Sequence, residues 1–289
     1  MGVTLANIVV TGCLYTLLAI GLTMVYGMLR VLHIAHAAVF AVGAMVGLFV
    51  FQAVPFGLWL AILLAMLASG LMGVAIYHVG YRWVLDAPRG TPLIVSIGIF
   101  IAVQALLERP FLLGPQASSF DASPDLPALA LGGFGFTPIQ TTIVLSTGAV
   151  GAGVWYLLSR TRLGLSWRAL SEDINMARSL GVATQNAVAL NMFLGSAMAG
   201  LAGVLIAVYE NSVSAYMGEV VAYKAFVIVV LGGLGSVLGA AVAAFTLAAV
   251  EIGIATVFGG LFPRNAIGFA VLILILLFAP TGLFGKRLD

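Results

Sequence analysis

Along this 289-residue chain, apolar residues follow one another in long runs and seldom alternate with polar ones. Nine runs stand out: Leu5 to Met28, Ile34 to Val54, Phe56 to Gly80, Thr91 to Leu107, Ile139 to Ser159, Ala187 to Val208, Val221 to Leu238, Gly239 to Phe258 and Ala266 to Ala279. Most approach the roughly twenty residues that a helix needs to cross the hydrocarbon core of a bilayer. A membrane-spanning strand alternates apolar and polar positions over about ten residues; these runs do not, and each reads as a helix, whose backbone hydrogen bonds all close internally. The seventh and eighth runs join through Leu231-Gly-Gly-Leu-Gly-Ser-Val-Leu-Gly239 without a polar break. One of them is therefore expected to be a half-helix or re-entrant segment, which leaves eight or nine spans.

Two polar segments are too long to be simple turns. Glu108 to Pro138 carries several prolines with Asp121 and Asp125, and reads as an external loop. Arg160 to Asn186 holds Arg160, Arg162, Arg168 and Arg178 with Glu172 and Asp173. Within it, Ser166 to Leu180 mixes polar and apolar residues at helical spacing, which predicts an amphipathic helix on the membrane surface. Basic loops stay in the cytoplasm. With the N-terminus outside and nine crossings, the inside loops hold Arg30, Arg82, Arg89, Arg160, Arg162, Arg168, Arg178, Lys286 and Arg287, and the outside loops hold Arg109, Lys224 and Arg264. Nine against three sets the orientation and puts the C-terminus in the cytoplasm.

Composition agrees: 62% of residues are hydrophobic and 8% are charged, where a soluble domain carries about 25%. So few charges cannot make a water-soluble surface. The 35 glycines suit helices that approach closely in lipid. A dispersed net charge of +2 argues against a nucleic-acid partner. Cys13 is the one cysteine and reads as a small apolar filler. The opening Met-Gly-Val-Thr-Leu-Ala-Asn lacks the basic residues of a signal peptide, so the N-terminus is expected to belong to the mature protein. The chain reads as one all-α integral membrane domain, residues 1–289, a polytopic bundle of eight or nine segments with broken or re-entrant helices.

His33 and His36 share a helical face at the inner end of the second run. A metal needs a third and fourth ligand, and no His or Cys cluster supplies them. They either line a polar junction between broken helices or sit at the membrane interface. Glu251 lies inside an apolar run, where an ionised carboxylate costs about 2.5–3.5 kcal/mol unless paired or hydrated. It must face the bundle interior, either on a passage or contact between subunits, or in a hydrogen bond that ties helices. Gly43-x-x-x-Gly47 and Gly235-x-x-x-Gly239 fit close helix packing, and both follow stretches that can be unwound. Ala38-Val-Phe-Ala-Val-Gly43-Ala also matches Leu234-Gly-Ser-Val-Leu-Gly239-Ala weakly, as an internal duplication would. Transporters tend to place a passage at such broken helices, so Tyr26, His33, His36, Gly43, Gly232, Gly233, Gly235, Ser236, Gly239 and Glu251 are the candidate pathway residues. The lysines, Lys224 and Lys286, sit in no Gly-x-x-x-x-Gly-Lys-Ser/Thr pattern, so the chain has no P-loop with which to hold ATP.

The segment Arg168-Ala-Leu-Ser-Glu-Asp-Ile-Asn-Met-Ala-Arg-Ser-Leu-Gly181 resembles the coupling loop of ABC importer permeases. Aligned on its last glycine, the Glu-Ala-Ala-x-x-x-Gly pattern falls on Asn175, Met176, Ala177 and Gly181, with Asn and Met replacing its first two residues. Ala19 to Arg30, His33 to Ala44, Ala225 to Ala240 and Leu277 to Gly285 resemble the signature of the branched-chain amino-acid ABC permeases, in the subunit type without a long N-terminal extension. That resemblance implies a bacterial inner-membrane importer of two related permease chains, two cytoplasmic ATPases that hold ATP and Mg, and a periplasmic solute-binding protein. It implies no cofactor on this chain and makes Arg168, Glu172, Asp173, Asn175, Met176, Ala177 and Gly181 the ATPase-coupling loop.

The cargo it implies is leucine, isoleucine and valine, with urea, short amides and other amino acids as alternatives carried by near relatives. A stand-alone carrier or channel is a different class, disfavoured because Glu251 is nearly alone among ionisable groups inside the spans. An intramembrane enzyme ranks last, since Gly-x-Ser-x-Gly and His-Glu-x-x-His are missing.

Overall fold

A computed structural model describes residues 2–54, 57–84, 87–88, 90–124, 128–131, 134–259, 263–278 and 282–284. Arg89, Asp125, Lys286, Arg287, the expected span ends at Phe56 and Ala279, and the final Gly285 lie outside the described residues. The helices are α1 (Gly2–Leu29), α2 (His36–Ala53), α3 (Gly57–Val79), α4 (Gly90–Leu107), α5 (Pro138–Arg160), α6 (Arg162–Glu172), α7 (Ile174–Ser179), α8 (Thr184–Tyr209), α9 (Met217–Gly232), α10 (Val237–Val257) and α11 (Arg264–Phe278). Among the described residues α1, α2, α3, α4, α5, α8 and α10 are long and apolar enough to cross a bilayer. The nine apolar runs thus correspond to nine helices, two of them short.

α9, with 16 residues, extends about 24 Å at 1.5 Å per residue, short of a bilayer core of about 30 Å. It starts before Val221 and ends at Gly232, not at Leu238, because the positive φ of Gly233 and Gly235 turns the chain back into α10. The surface segment differs from expectation too. A single helix over Ser166 to Leu180 is replaced by α6 and α7, separated at Asp173, whose extended backbone (φ −149°) cannot continue a helix. Its Oδ1 instead accepts the Met176 N–H at 2.9 Å and starts α7 afresh.

The segment before α5 adds a small exception to the all-α reading. Strands β1 (Leu129–Leu131) and β2 (Phe134–Phe136) pair antiparallel, and Ser118 bridges to Val213 beyond the end of α8. α5 then starts on a capping box, Thr137 with Gln140, and has Pro138 at its first position.

α1 and α8 are buried over most of their length and form the centre. α3 and α2 pack on α8, and α10 packs on α1. Small residues make the approach close: a Cβ at Gly43 would stand 2.8 Å from Ser69 Oγ and would press on Gly200 of α8. Gly47 meets Val204 of α8 in the same way. The ends of α8 mark the two ends of the bundle. One carries α6 and α7, to which Arg30 donates a hydrogen bond at Ser171 O (2.7 Å); the other carries the Ser118–Val213 bridge. Residues 282–284 return to the C-terminal end of α9, where Leu283 N–H donates to Leu231 O at 2.7 Å.

Gly43→Leu is expected to lower stability by about 1–3 kcal/mol through overpacking against α8 and α3. Gly98→Ala on α4, where a Cβ meets nothing within 4 Å, should not lower thermal stability in detergent, since Ala is the better helix former.

Candidate functional site

α1 ends at Leu29, Arg30 takes a left-handed backbone (φ 52°), and the chain stays non-helical until His36 opens α2. Inside a membrane such a break must find its own hydrogen-bond partners. It does: Ala35 N–H donates to Ser96 Oγ of α4 at 2.9 Å, His36 N–H to His33 O at 3.1 Å, and Arg30 N–H to Tyr26 O at 2.8 Å. Tyr81, in a 3₁₀ turn after α3, lies 2.6 Å from His33 Nδ1 and near Ser96.

The break leaves a cavity of about 360 Å³. Tyr26, Leu18 and Leu22 of α1, His33 and His36 at the break, Leu93 of α4, and Val221, Ala225, Phe226 and Val229 of α9 line it. Both histidines are buried, with ring centroids 5.7 Å apart edge to face. His36 sits beside the Leu18 carbonyl and against the bare backbone of Gly21. No third His, Cys, Asp or Glu joins them among the described residues.

Of the other candidate pathway residues, Gly43 belongs to the α2–α8 contact. Gly232, Gly233, Gly235, Ser236 and Gly239 build the α9–α10 turn: Gly232 and Gly239 press together, and Ser236 Oγ caps α10 by accepting Gly239 N–H at 3.0 Å. Gly235 packs against Gly27 of α1 and lines a second cavity of about 160 Å³ with Thr23, Asn191, Trp167 and Arg168.

Glu251 does not line the larger cavity. It is fully buried and pairs with Lys224 Nζ at 3.1 Å, accepts the Tyr15 hydroxyl at 2.7 Å, and Lys224 bonds Tyr15 as well. This corrects the placement of Lys224 in an outside loop: it is a buried residue of α9. The pair joins α1, α9 and α10, so the helix-tying reading of Glu251 fits its surroundings.

In the surface segment, Trp167 Nε1–H donates to Ala187 O at 3.0 Å, and Leu170 and Ala177 are buried, which anchors α6 and α7 to the bundle. Arg168, Glu172, Asp173 and Asn175 face outward. Met176 is 61% exposed and Leu180 76%, an apolar tip on a polar segment. Gly181 (φ 86°) ends α7: its N–H donates to Arg178 O at 3.0 Å and the Val182 N–H to Ala177 O at 3.1 Å, the paired bonds of a Schellman cap.

Residues 4–280 match the family described as branched-chain amino acid transport system, permease component. The chain belongs to this family. BraD, a high-affinity branched-chain amino acid permease protein of Pseudomonas aeruginosa, is 32% identical over 98% of this chain and 95% of its own length. LivH of Escherichia coli is 31% identical over 97% and 94%. LivM of Salmonella typhimurium, from the same kind of transport system, is 30% identical over 81% of this chain and 60% of its own. No solved structure matches.

In this family member the cavity rests on residues that sequence reading passed over. Tyr81 and Ser96 carry no local signal, since only the fold brings them to His33. Lys224 had one: a cation inside an apolar run, with Glu251 inside the next, is the pattern of a buried pair. Lys224→Met alone strips the buried carboxylate of its counter-charge and should cost about 3–5 kcal/mol. Lys224→Met combined with Glu251→Leu should recover most of that loss in detergent thermal unfolding, because no unpaired charge is left.

Proposed function

We propose that this chain is the permease subunit of an ATP-driven importer of branched-chain amino acids. It works with a second, related permease chain, two cytoplasmic ATPases that hold ATP and Mg, and an external solute-binding protein. The observation that carries the reading is the family match over residues 4–280, with relatives named for that transport along nearly their full lengths. LivM, a second permease type in such systems, supports a heterodimer. The passage runs through the cavity beside the α1–α2 break.

The α6–α7 segment is the ATPase-coupling loop and lies in the cytoplasm, with the N-terminus outside. Three features support this: the outward Arg168, Glu172, Asp173 and Asn175, the exposed Met176 and Leu180, and the cap at Gly181, which holds the tip rigid. A rigid tip anchored through Trp167 transmits closure of the ATPases to α8, whose first turn includes Ala187.

Vesicles containing the full complex should take up radiolabelled leucine only with ATP and the binding protein present; uptake by this chain alone without ATP would overturn the importer reading. Gly181→Val puts a β-branched residue in the left-handed region. About 1–2 kcal/mol of strain there should reduce ATPase co-purification roughly tenfold, while Gly181→Asn, which tolerates that backbone, should retain it. Unchanged association in the Val variant removes the coupling-loop assignment.

A further inference from the structure

We propose that Arg30 is a positioning residue for transport, whose side chain carries movement of the α6–α7 segment into the α1–α2 break and so into the wall of the larger cavity. This rests on the coupling-loop reading above and names the route by which that loop reaches the passage.

The backbone at Arg30 is one that glycine would suit better. Its φ of 52° lies in the left-handed region, where a side chain is disfavoured and glycine is at home. The turn is needed to end α1, because Arg30 N–H closes on Tyr26 O at 2.8 Å, the single bond of a left-handed helix cap. Glycine would make that cap without strain. What arginine adds is reach. Its Nη2 donates at 2.7 Å to Ser171 O, one of the last carbonyls of α6, where the extended backbone of Asp173 ends the helix and leaves them without an intrahelical partner. A guanidinium also suits the negative end of that helix. The hydrogen bond is exposed, so it returns little stability to set against the strained backbone. A strained residue whose contact contributes so little to stability points to a link that serves position.

The link joins a helix with room to move to a segment that yields. A cavity of about 160 Å³ lies between Met24, Gly27 and Met28 of α1 and Trp167, Arg168 and Ser171 of α6. The two helices are therefore not close-packed there, and α6 can shift. The hydrogen bond from Trp167 to Ala187 O is a second tie, but it ends on α8, a 26-residue helix buried over most of its length. α8 resists. The break is non-helical from Arg30 to Ala35, and segments with few backbone hydrogen bonds give way first. Its flanks, Tyr26 on one side and Leu32, His33 and Ile34 on the other, line the larger cavity. Displacement of Ser171 O thus reaches the cavity wall through one side chain and the peptide groups beside it.

The test uses the complete transporter complex in vesicles, with Leu32→Cys in the cavity wall and Cys13→Ala elsewhere. Labelling by a small thiol reagent is followed with and without ATP trapped on the ATPases by vanadate. Trapping should change the labelling rate while Arg30 is present. In Arg30→Gly, which accepts the left-handed backbone, most of that change should vanish, and leucine taken up per ATP hydrolysed should fall roughly tenfold, the low end of the loss for a hydrogen bond to a charged group. Arg30→Met, which lacks the donor without loosening the backbone, should behave alike, and Arg30→Lys, which keeps a cationic donor, should restore part of both readouts. Thermal unfolding in detergent and ATPase co-purification should hold in all three, which separates a positional role from a structural one. Full coupling and a full labelling change in the Gly and Met variants overturn the proposal and leave the importer and coupling-loop readings standing, and so does a collapse of folding or co-purification in both. Labelling indifferent to nucleotide in the parent, or uptake without ATP, overturns those readings and this one with them.

Discussion

A peptide group that leaves a helix inside hydrocarbon finds no water, and it must find a partner in the protein or the break cannot exist. That constraint organises this molecule. Between Leu29 and His36 the chain abandons helical bonding, and the displaced groups are taken up locally and by Ser96 of α4. Ser96 in turn lies near Tyr81, and Tyr81 bonds His33. The network that makes the break tolerable also holds His33 at the wall of the cavity that the break creates. The same rule explains the α9–α10 turn, where Ser236 caps the new helix and glycines allow its backbone to be packed against α1.

Close packing follows from the solvent as well. Lipid tails are as apolar as leucine, so helices in a membrane gain little by merely hiding apolar side chains from it. They gain by fit, and α8 fits because Gly43, Gly47 and Gly200 let α2, α3 and α8 approach within side-chain distance. Where α1, α9 and α10 meet, the tie is electrostatic. Lys224 and Glu251 compensate each other in a region where either alone would be costly, with Tyr15 sharing the contact.

The two regions on which the functional reading turns are in contact. Arg30, the first residue of the break, hydrogen-bonds Ser171 O in α6, and Trp167 and Arg168 of α6 share the smaller cavity with Gly235 and Asn191. Displacement of α6 therefore acts on the edge of the break and on the α9–α10 turn together. A helix, unlike a loop, delivers such a displacement without absorbing it.

The residue sequence by itself determined the class of the molecule and the places of its nine apolar helices, because uninterrupted apolar runs of this length have one stable form in lipid. It also marked the glycine turn around Gly235 and the glycine-ended tip at Gly181, whose left-handed backbone is a local property, but not the extent of the first break: periodicity puts His33 on one helical face with His36, and the chain is not helical until His36. What the tertiary structure decided was partnership. Lys224 looked like a loop cation until α10 brought Glu251 to it; Tyr81 and Ser96 carry no local signal, and only the fold sets Tyr81 beside His33 and Ser96 against Ala35. The division of Ser166 to Leu180 at Asp173 is a local event by contrast: Leu170 and Ala177, seven residues apart, would share one face of a single helix, and the break comes from Asp173 capping the Met176 N–H. Local periodicity records which face of a helix is apolar. It holds no record of which distant polar group will satisfy a buried one, and in a membrane protein that choice makes the site.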